Sequence, residues 1–418
     1  MSTDWKTSRN LDSPRAICIN QTEGAHRPQP GLRVIGLARG IVVFLALALS
    51  FSVSLAGAQE FDTKARFAIL MDYESGSILF DKAGSDPLEP ASMAKLMTAA
   101  VVFDQLQQNK LKFSDEFFIS EHAWRTGGAQ SGGSTMFADL NSKVPVLDLV
   151  RSLLIQSGND AAIALAEGIA GTEPGFAGMM NQLGAEIGLE HTHFVNATGL
   201  PDPDQYSTAR DLAVIARFII AQFPEYYPIF SEPEFTWNKI RQMNRNSLVE
   251  MGIGVDGLKT GHTEAAGYGT VVSSAAGGRR LIAVLHGLTS MAERADEARK
   301  LITWGSRGFE LIPAFDEGEP VARVAVYGGV LPDVPLVGQG KIDIFIPKGA
   351  KDCPEASVRY QAPILPPVQK GEQLGVLTIT CAGKVIQTNP LFAGEDVADG
   401  DIVRKAADAL KELALGWL

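Results

Sequence analysis

The 418-residue chain is poor in cysteine, in positive charge and in repetition. Three cysteines are too few for a disulfide scaffold. A net charge of −11 excludes a general nucleic-acid binder, which needs clustered Lys and Arg on a phosphate backbone. No unit of 20–50 residues recurs, so solenoids and propellers are excluded. No G-x-x-x-x-G-K-[ST] run and no H-E-x-x-H pair occurs. His191 and His193 alternate as on one side of a strand, but no nearby Cys, Asp or Glu completes a ligand set, so neither a metal nor any other cofactor is expected. What is present is ordinary globular material, 45% apolar and 20% charged, enough for a core and against disorder.

The one long apolar run is residues 40–59, uncharged between Arg39 and Glu60. It ends in Ala56-Gly57-Ala58, the small-x-small pattern of a signal-peptidase site, and six basic residues precede it. The reading favoured is an export leader, 1–58; the competing one is an uncleaved anchor, since about twenty apolar residues span a bilayer. Without residues 1–58, 360 residues remain with 31 basic and 45 acidic side chains, a net charge of −14. Cys353 and Cys381 stay behind. Both a disulfide in an oxidising compartment and two buried thiols fit them.

Beyond the leader, 66–81 reads as a hairpin turning at Glu74–Ser77, and 92–107 as a helix. Two helices, 145–156 and 160–170, meet at Ser157-Gly158-Asn159, with Pro145 expected in the first turn. A helix over 205–222 is expected to be capped by Ser207 or Thr208. Strands 267–274 and 279–287 flank the Ala276-Gly277-Gly278 turn, and a helix follows over 291–304. This is an α+β pattern with a mostly antiparallel sheet and a helical cluster. Near 315 the composition shifts to short β-like runs (321–327, 341–346, 357–360, 375–380, 384–388), a small all-β domain over 316–400 after a main domain over 59–315. In 401–418 Ile402, Val403, Ala406, Leu410, Leu413 and Trp417 share one helical face against Arg404, Lys405, Asp408, Lys411 and Glu412. Such a helix either lies in a membrane interface or packs on its own β domain.

Three short motifs carry chemistry. Ser92-Met93-Ala94-Lys95 opens a helix, Ser157-Gly158-Asn159 separates two, and Lys259-Thr260-Gly261 begins the strand-rich segment. Positions i and i+3 share a helix face, so Lys95 can reach the Ser92 hydroxyl. Serine needs a base to become a nucleophile, and Lys95 serves once burial or a neighbouring cation such as Lys259 lowers its pKa. Ser157 offers a second hydroxyl for a proton relay, and Asn159 an amide to orient a peptide. Lys259 and Thr260 supply a charge and a hydroxyl for a carboxylate, and Gly261 lets a substrate backbone approach.

In this order the motifs resemble those of the penicilloyl-serine transferases, and within them the low-molecular-mass D-alanyl-D-alanine carboxypeptidases. The likeness takes in PASMAKLMTA (90–99), SGGSTMF (131–137), QSGNDAAIALAE (156–167), HFVNATGLPDPDQYSTARDLA (193–213), IRQMNRN (240–246), VDGLKTGHTEAAGY (255–268), KLITWG (300–305) and KGEQLG (370–375). It implies a β-lactamase/transpeptidase-like catalytic domain, a small β domain and a membrane-associating terminal helix. It further implies a periplasmic enzyme, peripheral on the inner membrane, acting on peptidoglycan stem peptides and acylated by β-lactams. The roles implied are Ser92 as nucleophile, Lys95 as base, Ser157 as proton donor to the departing D-alanine, and Asn159 as holder of the acyl side. The N–H groups of Ser92 and His262 would form the oxyanion hole. Lys259, Thr260, Arg245 and Arg294 would face the terminal carboxylate. The alternatives are a D,D-endopeptidase with the same residues, a serine β-lactamase, and a non-catalytic wall-binding protein. The sequence lacks an E-x-x-L-N glutamate between Asn159 and Lys259, and a β-lactamase has no use for the second domain.

Overall fold

The computed structural model describes residues 61–276, 278–350, 354–381 and 383–406. The leader, Cys353 and residues 407–418 with Trp417 therefore lie outside the described residues.

The chain begins with a hairpin of β1 (Phe67–Asp72) and β2 (Ile78–Lys82). A single 3-10 turn, Ala91–Ala94, then leads into α1 (Lys95–Gln107). β3 (Glu116–Phe118) and β4 (Lys143–Pro145) pair across the base of a long loop. α2 (Val146–Arg151) widens into a π-helical turn, Ser152–Gln156, before α3 (Asn159–Ala170). α4 (Glu173–Glu186) and α5 (Ala209–Gln222) complete the helical cluster. A two-stranded hairpin, β5 (Glu234–Trp237) and β6 (Ile240–Met243), precedes three long strands: β7 (Val255–Thr263), β8 (Gly267–Ser274) and β9 (Leu281–Leu288). α6 (Met291–Arg307) closes this body.

The main sheet runs β2-β1-β9-β8-β7, antiparallel throughout. All six residues of β1 are buried, because both faces of the sheet are covered. Ile69, Met71, Val271, Ile282 and Val284 face the α1–α5 cluster. The alternate residues Ala68, Leu70, Val272, Leu281 and Ala283 face Ala298, Leu301 and Ile302 of α6. β7 is the free edge on the side of the helical cluster.

The second body is all β: β10 (Phe309–Phe315), β11 (Pro320–Ala325), β12 (Asp333–Val337), β13 (Ile342–Pro347), β14 (Glu355–Tyr360), β15 (Gln373–Cys381) and β16 (Lys384–Ala393). Its own core holds Val324, Leu336, Ile344, Leu377, Ile379 and Leu391. β10 pairs with β13, although it lies before the compositional shift near 315. The two bodies touch where Thr388 of β16 meets Ile78 of β2.

Three expectations need correction. Pro145 is not in the first turn of α2; it is the residue before it, with ψ of 141° and still paired in β4. α1 proper starts at Lys95, and the turn bearing Ser92 is 3-10. The short β-like run 384–388 is the first half of a ten-residue strand. Thr208, not Ser207, caps α5, its side chain accepting from Asp211 N. Cys381 is disulfide-bonded. Residues 402–406 are helical, with Ile402 and Val403 exposed. Among the described residues no helix is long and apolar enough to cross a membrane.

Candidate active site

Ser92 sits in the turn Ala91–Ala94, half-buried at the mouth of the cleft between the helical cluster and β7. Ala91 holds a left-handed φ of +47°, unfavourable for a residue with a Cβ, so the turn must be held from outside. Two glycines admit its close neighbours. A Cβ on Gly199 would lie 1.9 Å from Ala91 O, and one on Gly261 would lie 3.1 Å from Met93 Cγ and 3.2 Å from Pro90 O. β7 therefore presses directly on the serine turn.

Lys95 is fully buried. Its Nζ lies 3.1 Å from Ser92 Oγ and donates to Asn159 Oδ1 at 2.7 Å and to the Thr198 carbonyl. A neutral amine has two N–H groups and one lone pair. Asn159 and Thr198 are acceptors for both N–H groups, which leaves the lone pair for the Ser92 hydroxyl. Burial brings the Lys95 pKa down to about 7, against the opposing pull of Glu173 and Asp160. The geometry and the proton affinity are those of a general base near neutral pH.

Asn159 opens α3, and Asp160 behind it accepts from Thr135 Oγ1, Met136 N and Ala138 N. These bonds draw the 131–138 loop over the site. Gly127 is needed for the same packing, since a Cβ there would lie 2.2 Å from Asp160 N. Ser157 joins the π-helical turn to α3 at a left-handed φ of +71°, and its buried Oγ makes no hydrogen bond.

On the opposite wall Lys259 is 1% exposed and Thr260 is buried. Burial, then the charges of Lys95, Arg245 and Arg294, hold Lys259 well below the usual range of an amine. Arg294 is also buried, and burial and Arg245 lower its pKa to about 10. The hydrogen bonds of these cations go to neutral oxygens. Lys259 Nζ donates to Thr260 O at 3.0 Å, Arg245 to Gln156 Oε1 and Ser134 Oγ, and Arg294 Nη2 to Arg245 O at 3.2 Å. Lys259, Arg245 and Arg294 gathered beside one cleft can receive an anion. His262, exposed at the end of the same motif, stacks on Tyr268 with ring centroids 3.9 Å apart, and Arg294 lies 6.0 Å above that tyrosine ring.

The chain's first body, residues 54–289, matches the family model described as D-alanyl-D-alanine carboxypeptidase. The chain belongs to this D-alanyl-D-alanine carboxypeptidase family. Residues 309–399 match the model for the C-terminal domain of penicillin-binding protein 5. The carboxypeptidase DacC of Escherichia coli is 38% identical over 379 residues, covering 89% of this chain and 95% of its own. The crystal structure of penicillin-binding protein 5 from Haemophilus influenzae, 39% identical, superposes with a TM-score of 0.64 over 82% of this chain and 100% of its own. The ampicillin-bound form of penicillin-binding protein D2 from Listeria monocytogenes, 27% identical, covers 59% of this chain and 98% of its own, with a TM-score of 0.52.

Within this family fold Ser92, Lys95 and Asn159 are in direct contact, whereas Lys259, Arg245 and Arg294 join them through their field. Ser157 borders the same cleft but is hydrogen-bonded to none of them. The motifs gave no role to Thr198, Ser134, Gln156, Glu173 or Tyr268. Thr198 and Ser134 act from within NATGL and SGGSTMF, runs whose shared likeness marked them without saying which atom mattered. Thr198 contributes a carbonyl, which no residue identity encodes.

Proposed function

We propose that Ser92 attacks the carbonyl between two terminal D-alanines of a peptidoglycan stem peptide, releasing the last D-alanine and leaving an acyl-enzyme that water then hydrolyses. The enzyme is a serine D-alanyl-D-alanine carboxypeptidase of the penicillin-binding type. The single observation that supports these roles best is the arrangement around Lys95 Nζ: two acceptors, one serine hydroxyl and no water-exposed face. Neutral Lys95 takes the Ser92 proton as the Oγ–C bond forms. The backbone N–H groups of Ser92 and His262 meet the developing oxyanion. The terminal carboxylate goes to the wall of Lys259, Thr260, Arg245 and Arg294, where it offsets their mutual repulsion. Ser157, on the leaving-group side, relays to the departing amine the proton that Lys95 took from Ser92, giving up its own and receiving that one, and so ends as it began; its unpaired Oγ leaves it free to do so. A β-lactam offers the same carbonyl and carboxylate, and its ring-opened acyl group stays on Ser92.

For the whole chain, the reading is a leader over 1–58, a catalytic unit ending at Gly308, a β unit up to 400, and a terminal helix over 401–418 that lies on the periplasmic face of the inner membrane. The apolar face that includes the exposed Ile402 and Val403 supports the last point. Deleting 401–418 should move the protein from the membrane to the soluble fraction, and retention on the membrane would overturn it. The activity is tested on three substrates at once: a pentapeptide ending in D-Ala-D-Ala, a cross-linked dimer and penicillin. Free D-alanine from the pentapeptide should be the dominant product. Dominant cleavage of the dimer would make the protein an endopeptidase, and rapid penicillin turnover a β-lactamase.

A further inference from the structure

His286, in β9, belongs to none of the motifs. It is 1% exposed and lies directly beneath the turn that carries Ser92. Its Nε2 meets the backbone carbonyl of Glu89 at 2.8 Å. A carbonyl only accepts, so Nε2 carries the proton and the ring is the Nε2–H tautomer. Burial lowers the pKa of the ring, so this neutral form is the one present at neutral pH.

The ring occupies space that the sequence has cleared for it. Its strand neighbour is Gly269 of β8, where a Cβ would lie 2.4 Å from His286 Nδ1 and 2.8 Å from Met93 Cε. Any larger residue at 269 would displace the imidazole or the turn above it. Glu89 is the last residue before Pro90, whose carbonyl accepts from Met93 N to open the 3-10 turn. Upstream, Leu88 is fixed by two backbone bonds to Ser207. Between that anchor and Lys95 the chain passes through left-handed Ala91 and presents Ser92. The Glu89 carbonyl is thus the point at which the sheet holds the strained turn, and His286 is the side chain that grips it.

We infer that His286 is a positioning residue for acyl transfer, setting the height and direction of the Ser92 turn through the Glu89 carbonyl. This rests on Ser92 being the nucleophile. The ring is hydrogen-bonded to neither Ser92 nor Lys95, so its loss displaces the nucleophile without removing a partner of the base. Displacement of a reacting atom by a fraction of an ångström lowers the rate of bond formation more than it weakens binding.

The test is acylation of the full chain by a fluorescent penicillin in stopped flow, with the acylation rate constant and the preceding dissociation constant resolved separately. His286→Leu, which keeps bulk but removes the donor, should cut the rate constant roughly tenfold to a hundredfold and leave the dissociation constant within about twofold. His286→Gln, whose side-chain N–H can meet the same carbonyl, should recover most of the loss. Gly269→Ala, which drives a methyl into the ring's place, should lower the rate constant with His286 still present. The inference is overturned if His286→Leu acylates at the wild-type rate, or if His286→Gln is no better than His286→Leu. Should His286→Leu fail to fold, His286→Gln near the wild-type rate beside a slowed Gly269→Ala supports the inference, and an unslowed Gly269→Ala overturns it. Absence of any Ser92 adduct in the wild type would instead defeat the functional reading itself.

Discussion

At the scale of residues, the proposed chemistry depends on two lysines that are buried and poorly compensated. Lys95 is charged in the unfolded chain below a pKa of about 10.4, and burial in the fold lowers that value to about 7. Rate and stability both then vary with pH in a definite direction. Acylation needs the neutral amine, so its rate should rise as pH passes through about 7 and level off above it. Glu173 raises the Lys95 pKa, so Glu173→Gln should move this acid limb to lower pH; penicillin acylation across the pH range reads it, and a limb that stays or moves upward would contradict the assignment. The amide still accepts from Ala197 N, so the loop position is kept. For stability, a lowered lysine pKa penalises the folded state as pH falls below the unfolded value, and the full penalty is reached below the folded one. Lys95→Met should therefore be inactive yet more stable, by on the order of 1–2 kcal/mol at neutral pH, with the gain shrinking as pH rises above about 7 and gone by about pH 10. Thermal unfolding at several pH values reads this. A less stable Lys95→Met would mean that its hydrogen bonds outweigh its burial.

At the scale of elements, the site is made by close approach between backbones, and glycines permit it. Gly127→Ala places a methyl against the Asp160 amide and should cost about 3 kcal/mol or more, because a backbone cannot yield as a side chain does. Chemical denaturation measures it, and a loss below about 1 kcal/mol would show that the 123–127 segment can retreat. This scale also separates what was legible in the chain from what was not. The β1–β2 hairpin, α1, α5 and the β8–β9 pair followed from apolar spacing and turn residues, and the helix–turn–helix around Ser157 from its small polar break. α4 gave no signal: EPGFAGMMNQLGAE carries three glycines, which are unfavourable in a helix, and its proline is harmless only because it falls in the first turn. The fold rescues it by a Thr172 cap and by burying Phe176, Ala177, Met180 and Gly184 on one face. β12 was hidden by Pro335 within a five-residue strand. The side chains of the site were legible as motifs. The carbonyls of Thr198 and Glu89 were not, since a main-chain atom's place comes only from tertiary packing.

At the scale of the molecule, the catalytic body and the β body are joined by Phe309 and Phe345, which pack into the apolar layer beside α6, and by polar contacts at one corner. Arg279, from the β8–β9 turn, donates twice to Asp72 Oδ1 and lies 4.0 Å above the Phe345 ring of β13. Arg217 donates to Gln339, and Gln387 and Asn389 of β16 donate to Ser77. The corner lies on the β2 side of the sheet and the catalytic cleft on the β7 edge, so it orients the second body without touching the chemistry. Arg279→Ala should leave D-alanine release unchanged and cost about 2 kcal/mol of stability, because Asp72 keeps its Ser75 partners but loses its charge partner. Limited proteolysis near 308 should quicken in parallel. An impaired release rate would show instead that the bodies are coupled to the cleft.

The account as a whole depends on one covalent bond, from Ser92 Oγ to an acyl group. Digestion of the penicillin-treated protein followed by mass spectrometry locates that bond directly. The adduct should fall on the peptide containing Ser92 and vanish in Ser92→Ala. An adduct on another residue, or one that persists in Ser92→Ala, would contradict the assignment.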